Sequence, residues 1–292
     1  MGLGPLFAIL TAATFAFGQI LIRRSTYQAE ESFTSLAVSL LVGTPIFVLL
    51  VSCFGEWRDF LTFSWQHYTL LVAAGLLHLL IARYLFFNST RIIGANPTVA
   101  ITRASVIFSV IFGVVLLGET VTVLQVFAAL MIMCGAVLTT TEISRRTFRI
   151  STRGLLMGLG VALCSAGSAT LIRPVMQETD AIYAATFVMY LAAFIVVLLI
   201  LILRGEQRHN VVRQDRRTFL ILAIAAVILV VGHLFRFATL RLTPVSIAQP
   251  IFATIVVFTL LFSWIVNRRI DVFNWRVIAG IVLVLAGVYL IY

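Results

Sequence analysis

Three arginines and two histidines stand inside stretches otherwise built from apolar residues: His78 and Arg83, Arg103, and His233 and Arg236. An arginine placed deep in hydrocarbon costs at least about 2.5–3.5 kcal/mol on insertion scales, so each needs a compensating partner. The eleven acidic residues do not supply one, because Glu30, Glu31, Glu56, Asp59, Glu119, Glu142, Glu178, Asp180, Glu206, Asp215 and Asp271 all fall in or beside connections. The excess of donors over carboxylates implies that a carried charge, if there is one, is negative. Arg103 either meets water and an anionic ligand in a cavity, or bonds helix carbonyls and snorkels toward the near end of its helix. His233 and Arg236, three apart, share a helical face; His78 and Arg83, five apart, do not. Arg236, two residues from the end of its apolar run, is expected to snorkel. Gln19, Gln249 and Tyr190 complete the candidate binding set, Tyr190 as part of a stripe with Tyr183, Phe187 and Phe194 that either lines a site or is core.

This chemistry is binding rather than catalysis. No HExxH, GxSxG or clustered Asp is present. The three cysteines, Cys53, Cys134 and Cys164, stand singly with no metal spacing and are expected to be packing residues. No catalytic residue, metal or cofactor is expected.

The elements that must position these residues are membrane helices. Of the 292 residues 61% are hydrophobic and only 11% charged, with a mean hydropathy of +1.10, whereas soluble domains are about a quarter charged. The apolar residues form ten runs, each close to the roughly 20 residues that cross a hydrocarbon core: Leu3 to Ile22, Phe33 to Phe54, Tyr68 to Phe87, Pro97 to Leu117, Val121 to Thr141, Gly154 to Ile172, Ala181 to Leu203, Phe219 to Phe237, Pro244 to Val266 and Phe273 to Tyr292. Strand alternation is absent, so the chain reads as an all-α integral membrane protein of ten transmembrane helices. The first run lacks a basic leader and is expected to be retained. Pro250, inside the ninth run, is expected to break its helix. Thr98, Thr102, Ser105 and Ser109 make a polar stripe on the fourth. Read as packing against a neighbouring helix, the stripe turns Arg103 inward.

The second half repeats the first. Leu21-Ile22-Arg23 matches Leu171-Ile172-Arg173 at an offset of 150, as Phe87 and Arg91 match Phe237 and Arg241; two extra residues then bring Glu119, Ala128 and Gly135 onto Asp271, Gly280 and Gly287. Each copy is five helices, and five is odd, so the second enters the membrane in the opposite sense: two inverted repeats, 1–142 and 154–292, joined by a basic loop, 143–153. Arg103 breaks the symmetry, since Ala253 takes its place. Ten helices in two such copies, with Leu117-Gly118-Glu119 followed by Ala128-Ala129-Leu130 and Gly135, resemble the drug/metabolite transporter superfamily with EamA-type repeats, although the second copy reads Ile270-Asp271 where Gly-Glu is usual. The resemblance implies a carrier whose helices 1–4 and 6–9 enclose a central cavity, with helices 5 and 10 as scaffold. Related carriers move amino acids, nucleotide sugars, sugar phosphates or drugs. Small multidrug antiporters of the superfamily exchange protons through a glutamate in the first helix; Thr11, Thr14 and Gln19 stand there instead, which argues against that mechanism.

The expected function is secondary transport of a small organic solute, an amino acid or other anionic or zwitterionic metabolite, by alternating access; the alternative is a lipid or lipid-head-group flippase of the same fold. The expected partners are a small-molecule substrate and membrane lipids but no nucleic acid, with the protein a monomer or homodimer in the plasma (inner) membrane. The net charge of +10 is topological: all 21 basic residues are arginine, fourteen in odd-numbered connections and three in even ones. The positive-inside rule then makes the odd connections cytoplasmic and leaves both termini outside, opposite to the sense in which members of the superfamily are commonly drawn. A C-terminal reporter that fluoresces only in the cytoplasm is expected to stay dark; bright cells would reverse the orientation.

Overall fold

The computed structural model describes residues 2–26, 32–93, 95–141, 151–266 and 275–291, and every regular element among them is helical. Helices α1 (Leu3–Thr26) and α2 (Ser32–Phe54) lead into a 3-10 turn, Glu56–Arg58, and a four-residue helix, Asp59–Thr62. Helix α3 (Trp65–Ile93) contains a π-helical turn at Leu76–Ile81. Helix α4 comes in two pieces, Ala95–Thr102 and Ser105–Leu117. Then follow α5 (Val123–Thr141), α6 (Thr152–Glu178), α7 (Ile182–Leu203), a short surface helix Gly205–Val212, and α8 (Arg216–Leu242). Helix α9 is again split, Val245–Phe252 and Ile255–Val266, and α10 is Trp275–Leu290. Eight of these are long and apolar enough to cross a membrane; α5 and α10 are shorter apolar helices.

Helices α3, α6 and α8 outrun their apolar stretches, and at the starts of α3 and α8 a capping group sets the end. Ser64 and His67 form a reciprocal capping box that starts α3 ahead of Tyr68. Asp215 starts α8 by accepting from the Arg217 and Thr218 amides at 3.2 Å each; its hydrogen bonds to Thr218 hold the carboxyl below the usual carboxylate range. Gly118, at φ +64°, closes α4 in the left-handed conformation that a side chain disfavours.

The duplication is visible in the backbone. At the break in α4, the amides of Arg103, Ala104 and Val106 bond to the carbonyls of Ala100, Ile101 and Arg103; at the break in α9, Ala253, Thr254 and Val256 bond to Pro250, Ile251 and Ala253. Each bond recurs 150 residues on, and each spans three residues rather than four, a local tightening to 3-10 geometry. Pro250, which has no N–H, lies within the turn before the second break; the first break has the same geometry without a proline, so the break does not depend on one. Packing obeys the same symmetry. Helix α1 lies along α8 as α6 lies along α3, α1 meets α9 as α6 meets α4, and α2 meets α8 as α7 meets α3. Helices α2 and α7, α4 and α9, and α5 and α10 meet their own counterparts. These main contacts pair up when each helix is exchanged for the one five along, as expected of an inverted repeat.

Small residues allow this packing. Ala8, Ala12 and Ala16 recur every fourth position on the buried face of α1, and Gly154, Gly158 and Gly160 bring α6 against Ile93, Ile101 and Leu85. The polar stripe on α4 packs in the same way: Thr98 Oγ1 lies 2.9 Å from Ser89 Oγ, which donates to the Gly154 carbonyl. The cysteines do not pack as expected, since Cys53 and Cys134 are exposed and Cys164 only half-buried. Asp271, Arg268, Arg269, Glu142 and most of the 143–153 loop lie outside the described residues.

At the α5–α10 seam, a Cβ on Gly280 would sit 2.7 Å from the Gly135 carbonyl and against Thr139, and a Cβ on Gly135 would sit 2.6 Å from the Gly280 carbonyl. Gly280→Leu is therefore expected to destabilise the protein by about 1–3 kcal/mol, read as a lower unfolding midpoint in detergent, while Gly205→Leu, in open space, leaves it unchanged.

Candidate functional site

The polar side chains converge between the repeats. The π-turn of α3 carries His78. Such a turn inserts a residue into the helix, so positions five apart, which an α-helix separates, come onto one side. Arg83 thereby joins His78, with Arg236 and the neutral His233 ring also beside it. Arg83 and His233 are themselves repeat equivalents, 150 residues apart, on the counterpart helices α3 and α8.

His233 is 1% exposed and enclosed by aromatic rings, with Phe15 at 4.9 Å, Tyr190 at 5.3 Å and His78 at 5.6 Å between centroids. Its Nδ1 lies 2.7 Å from the Leu229 carbonyl and 3.0 Å from the Tyr190 hydroxyl. A carbonyl only accepts, so the Nδ1 of the neutral ring carries the proton and Nε2 holds the lone pair. That Nε2 is buried without a partner, as is His78 Nδ1. Tyr190 then accepts a share of the Nδ1–H and keeps its own proton for another acceptor.

Arg236 is 2% exposed, one of the largest fully buried side chains of the molecule. Its Nη2 reaches the Ser165 carbonyl and the Ser168 hydroxyl, both at 3.5 Å, the outer limit of a hydrogen bond, and its Nη1 has no partner. Gln249, 5% exposed at the break-bearing end of α9, donates to the same Ser165 carbonyl at 3.0 Å. Arg83 donates to Ser39 on α2 at 2.9 Å. Groups from α2, α3, α6, α7, α8 and α9 thus meet with no carboxylate bonded to any of them among the described residues.

Several sequence expectations change here. Arg236 does not snorkel: α8 continues to Leu242, so the guanidinium lies six residues inside the helix end, a position foreshadowed only by Leu240 and Leu242 continuing the apolar pattern. Ser39, Ser165 and Ser168 are further members of the site that short hydroxyl side chains did not announce. Of the candidates, His78, Arg83, Tyr190, His233 and Gln249 are brought together. Gln19 is exposed, outside the cluster. Arg103 is half-buried at the break of α4 and donates from Nε to the Val99 carbonyl at 3.3 Å, the carbonyl-bonding alternative for that residue. In the aromatic stripe only Tyr190 reaches the cluster; Tyr183 stacks on Phe54 at 4.3 Å, and Phe187 packs on Trp57 and Phe60.

One end of the bundle, formed by the even-numbered connections, is laced together. His67 accepts the Ser64 amide on Nδ1 and so presents Nε2–H to Glu178 at 2.7 Å. Arg241 pairs with Asp180, and Arg173 donates to the Arg241 carbonyl at 2.7 Å. Glu56 accepts the Ala184 amide at 2.7 Å; burial raises its carboxyl above the usual range. Glu119 of the first repeat caps α9 of the second, accepting from the Val245 and Ser246 amides at 2.7 and 2.9 Å and from the Ser246 hydroxyl at 2.6 Å.

An inverted helical duplication enclosing a polar site is the architecture of a secondary transporter, and comparison with known proteins agrees. The EamA-like transporter family matches residues 2–141 and 152–292, one repeat each, and the chain belongs to that family. It is therefore a membrane transporter of the drug/metabolite type. No curated protein is similar enough in sequence to count as a relative. A solved protein crystal structure shares the fold with a TM-score of 0.77 over 99% of this chain and 94% of that one, at 16% identity; at that identity the likeness is of fold alone.

Because Glu119 holds a helix start that Pro244 leaves without a side-chain cap, Glu119→Ala is expected to cost about 0.5–2 kcal/mol, seen as a lower unfolding midpoint in detergent. An unchanged midpoint would show that α9 starts without it.

Proposed function

We propose that the protein is a secondary carrier that moves a small organic anion or zwitterion, such as an amino acid, across the plasma (inner) membrane by alternating access. The observation that carries this reading is Arg236: a guanidinium 2% exposed, with one nitrogen unpartnered and the other held at 3.5 Å, beside two imidazoles and a second arginine and with no carboxylate bonded to it. A cation kept so incompletely paired in a low-dielectric interior is costly, and a negatively charged cargo offsets that cost. Alternating access is supported by the inverted repeat and by the laced end, whose bonds join separate helices and would have to part when that side opens. In this reading all ten helices cross the membrane, the copies divide at the 143–153 loop, and both termini lie outside. The carrier works as a monomer or homodimer with membrane lipids as its surroundings.

One observation favours the lipid-handling alternative. An apolar crevice of about 310 Å³, lined by Trp57, Phe60, Tyr68, Val72, Phe187 and their neighbours, runs between the 56–62 segment, α3 and α7 and has the character of a seat for an acyl chain.

Proteoliposomes decide between the two. Uptake of radiolabelled L-glutamate, L-lactate or glucose 6-phosphate is expected in wild type. Arg236→Gln is expected to lower it about tenfold or more, since a hydrogen bond to a charged group contributes roughly 1.5–3 kcal/mol. Arg103→Gln is expected to have the smaller effect. Movement of a fluorescent lipid with no solute flux would sink the carrier reading.

A further inference from the structure

We propose that His78 and His233 take up a proton when an anion docks on Arg236, so that the carrier moves its anion together with a proton. The inference rests on the carrier reading above and adds the coupling ion. His233 Nε2 is a lone-pair nitrogen by the tautomer that the Leu229 carbonyl imposes, and it is buried without a donor; His78 Nδ1, on a ring 5.6 Å away, is likewise unpartnered. A proton held by this pair satisfies one or both nitrogens.

What faces the pair decides when that happens. Helix α3 contributes Arg83, α8 contributes Arg236, α7 contributes the Tyr190 hydroxyl, α1 only the Phe15 ring, and α6 and α9 the uncharged Ser165, Ser168 and Gln249. Two guanidiniums, with no carboxylate beside them among the described residues, oppose a third positive charge there. An anion on Arg236 cancels part of that repulsion and makes protonation favourable. Coupling free energies are reciprocal, so the proton raises anion affinity by the factor by which the anion raises proton affinity. The sign follows: affinity is highest at low pH and falls as pH rises through the titration of the loaded pair.

Purified full-length protein would be titrated with L-glutamate, L-lactate and sulfate, whose acidic groups stay ionised between about pH 5 and 8, the range in which histidine changes charge. The affinity of whichever probe binds is expected to fall by up to about tenfold per pH unit, the limit for one coupled proton. In weakly buffered solution with a pH dye, adding that probe to wild type is expected to draw protons from the medium, a readout that needs no variant. His233→Gln and His78→Gln are expected to bind with a flattened pH profile, and His209→Gln, on the exposed Gly205–Val212 helix, to keep the wild-type one. Binding whose affinity does not change with pH, or no proton uptake on binding, overturns the coupling and leaves the carrier reading intact. Failure of every probe to bind or move at any pH overturns the anion-carrier reading and the coupling with it.

Discussion

A buried cation without a carboxylate is the constraint on which the rest of this structure depends. Moving a guanidinium into a low-dielectric interior costs several kcal/mol unless hydrogen bonds and an opposite charge replace its water. Arg236 receives neither in full: two contacts at 3.5 Å and an unpartnered nitrogen. The surrounding helices keep it there by packing. Phe237 beside it in sequence is 0% exposed, and Ser168, Ala169 and Ile172 on α6 are equally enclosed. Stability is thus drawn from the apolar contacts of α8 with α1, α2 and α6 and committed to holding a charge that its own surroundings do not fully satisfy, the usual relation between a strained site and a well-packed frame.

That frame separates two duties. Glu119 and the α5–α10 glycine seam fasten one repeat to the other. Glu119 does so by placing a carboxylate at the positive end of α9, where the helix dipole and two free amides both favour it. None of this touches the polar cluster. Of the cluster, His78 and Gln249 sit where regular helix is interrupted, on the π-turn of α3 and on the first piece of α9 next to Pro250, while Tyr190, His233 and Arg236 sit on unbroken α7 and α8. Interrupted helices lack some of the hydrogen bonds that make a helix rigid, so they tolerate small changes of axis.

Much of the fold was legible in the sequence because its signals are long-range sums: twenty-residue apolar runs, a 150-residue repeat, and an odd number of helices per copy. The candidate site was legible only where residue type was decisive. Histidines and arginines in apolar runs marked His78, Arg83 and His233, and Pro250 marked the break in α9. Helical periodicity misplaced the rest. Arg236 was read as near a helix end because the apolar run Phe219 to Phe237 stops just beyond it, yet the end is set by a C-cap seven residues on, where Arg173 donates to the Leu240 and Arg241 carbonyls of α8. His78 and Arg83 were set on different faces because a π-turn has no composition of its own. Arg103 was the most conspicuous charge and bonds a carbonyl of its own helix, an alternative that needs no partner that a sequence would reveal.

The departure from symmetry locates what the two-fold alone would not. Arg83 and His233 are equivalents, and on the axis-related helices α3 and α8 they bring a permanent and a titratable cation to equivalent places. Arg236 has Phe86 as its equivalent and His78 has Ile228, so neither repeat could build this site from two copies of itself. A duplicated gene would begin with matched residues at both places. Retaining an arginine on one side and a histidine on the other gives a charge that holds an anion at every pH and a second that appears only when protons are supplied. An arginine at the His233 position would add a third permanent charge to those of Arg83 and Arg236, one present at every pH. A histidine at the Arg83 position would leave Arg236 as the permanent cation of the site. Under the proposed coupling, a proton on His233 adds to the permanent charges of Arg83 and Arg236, so an anion is held more tightly while the proton is bound and less tightly when it leaves.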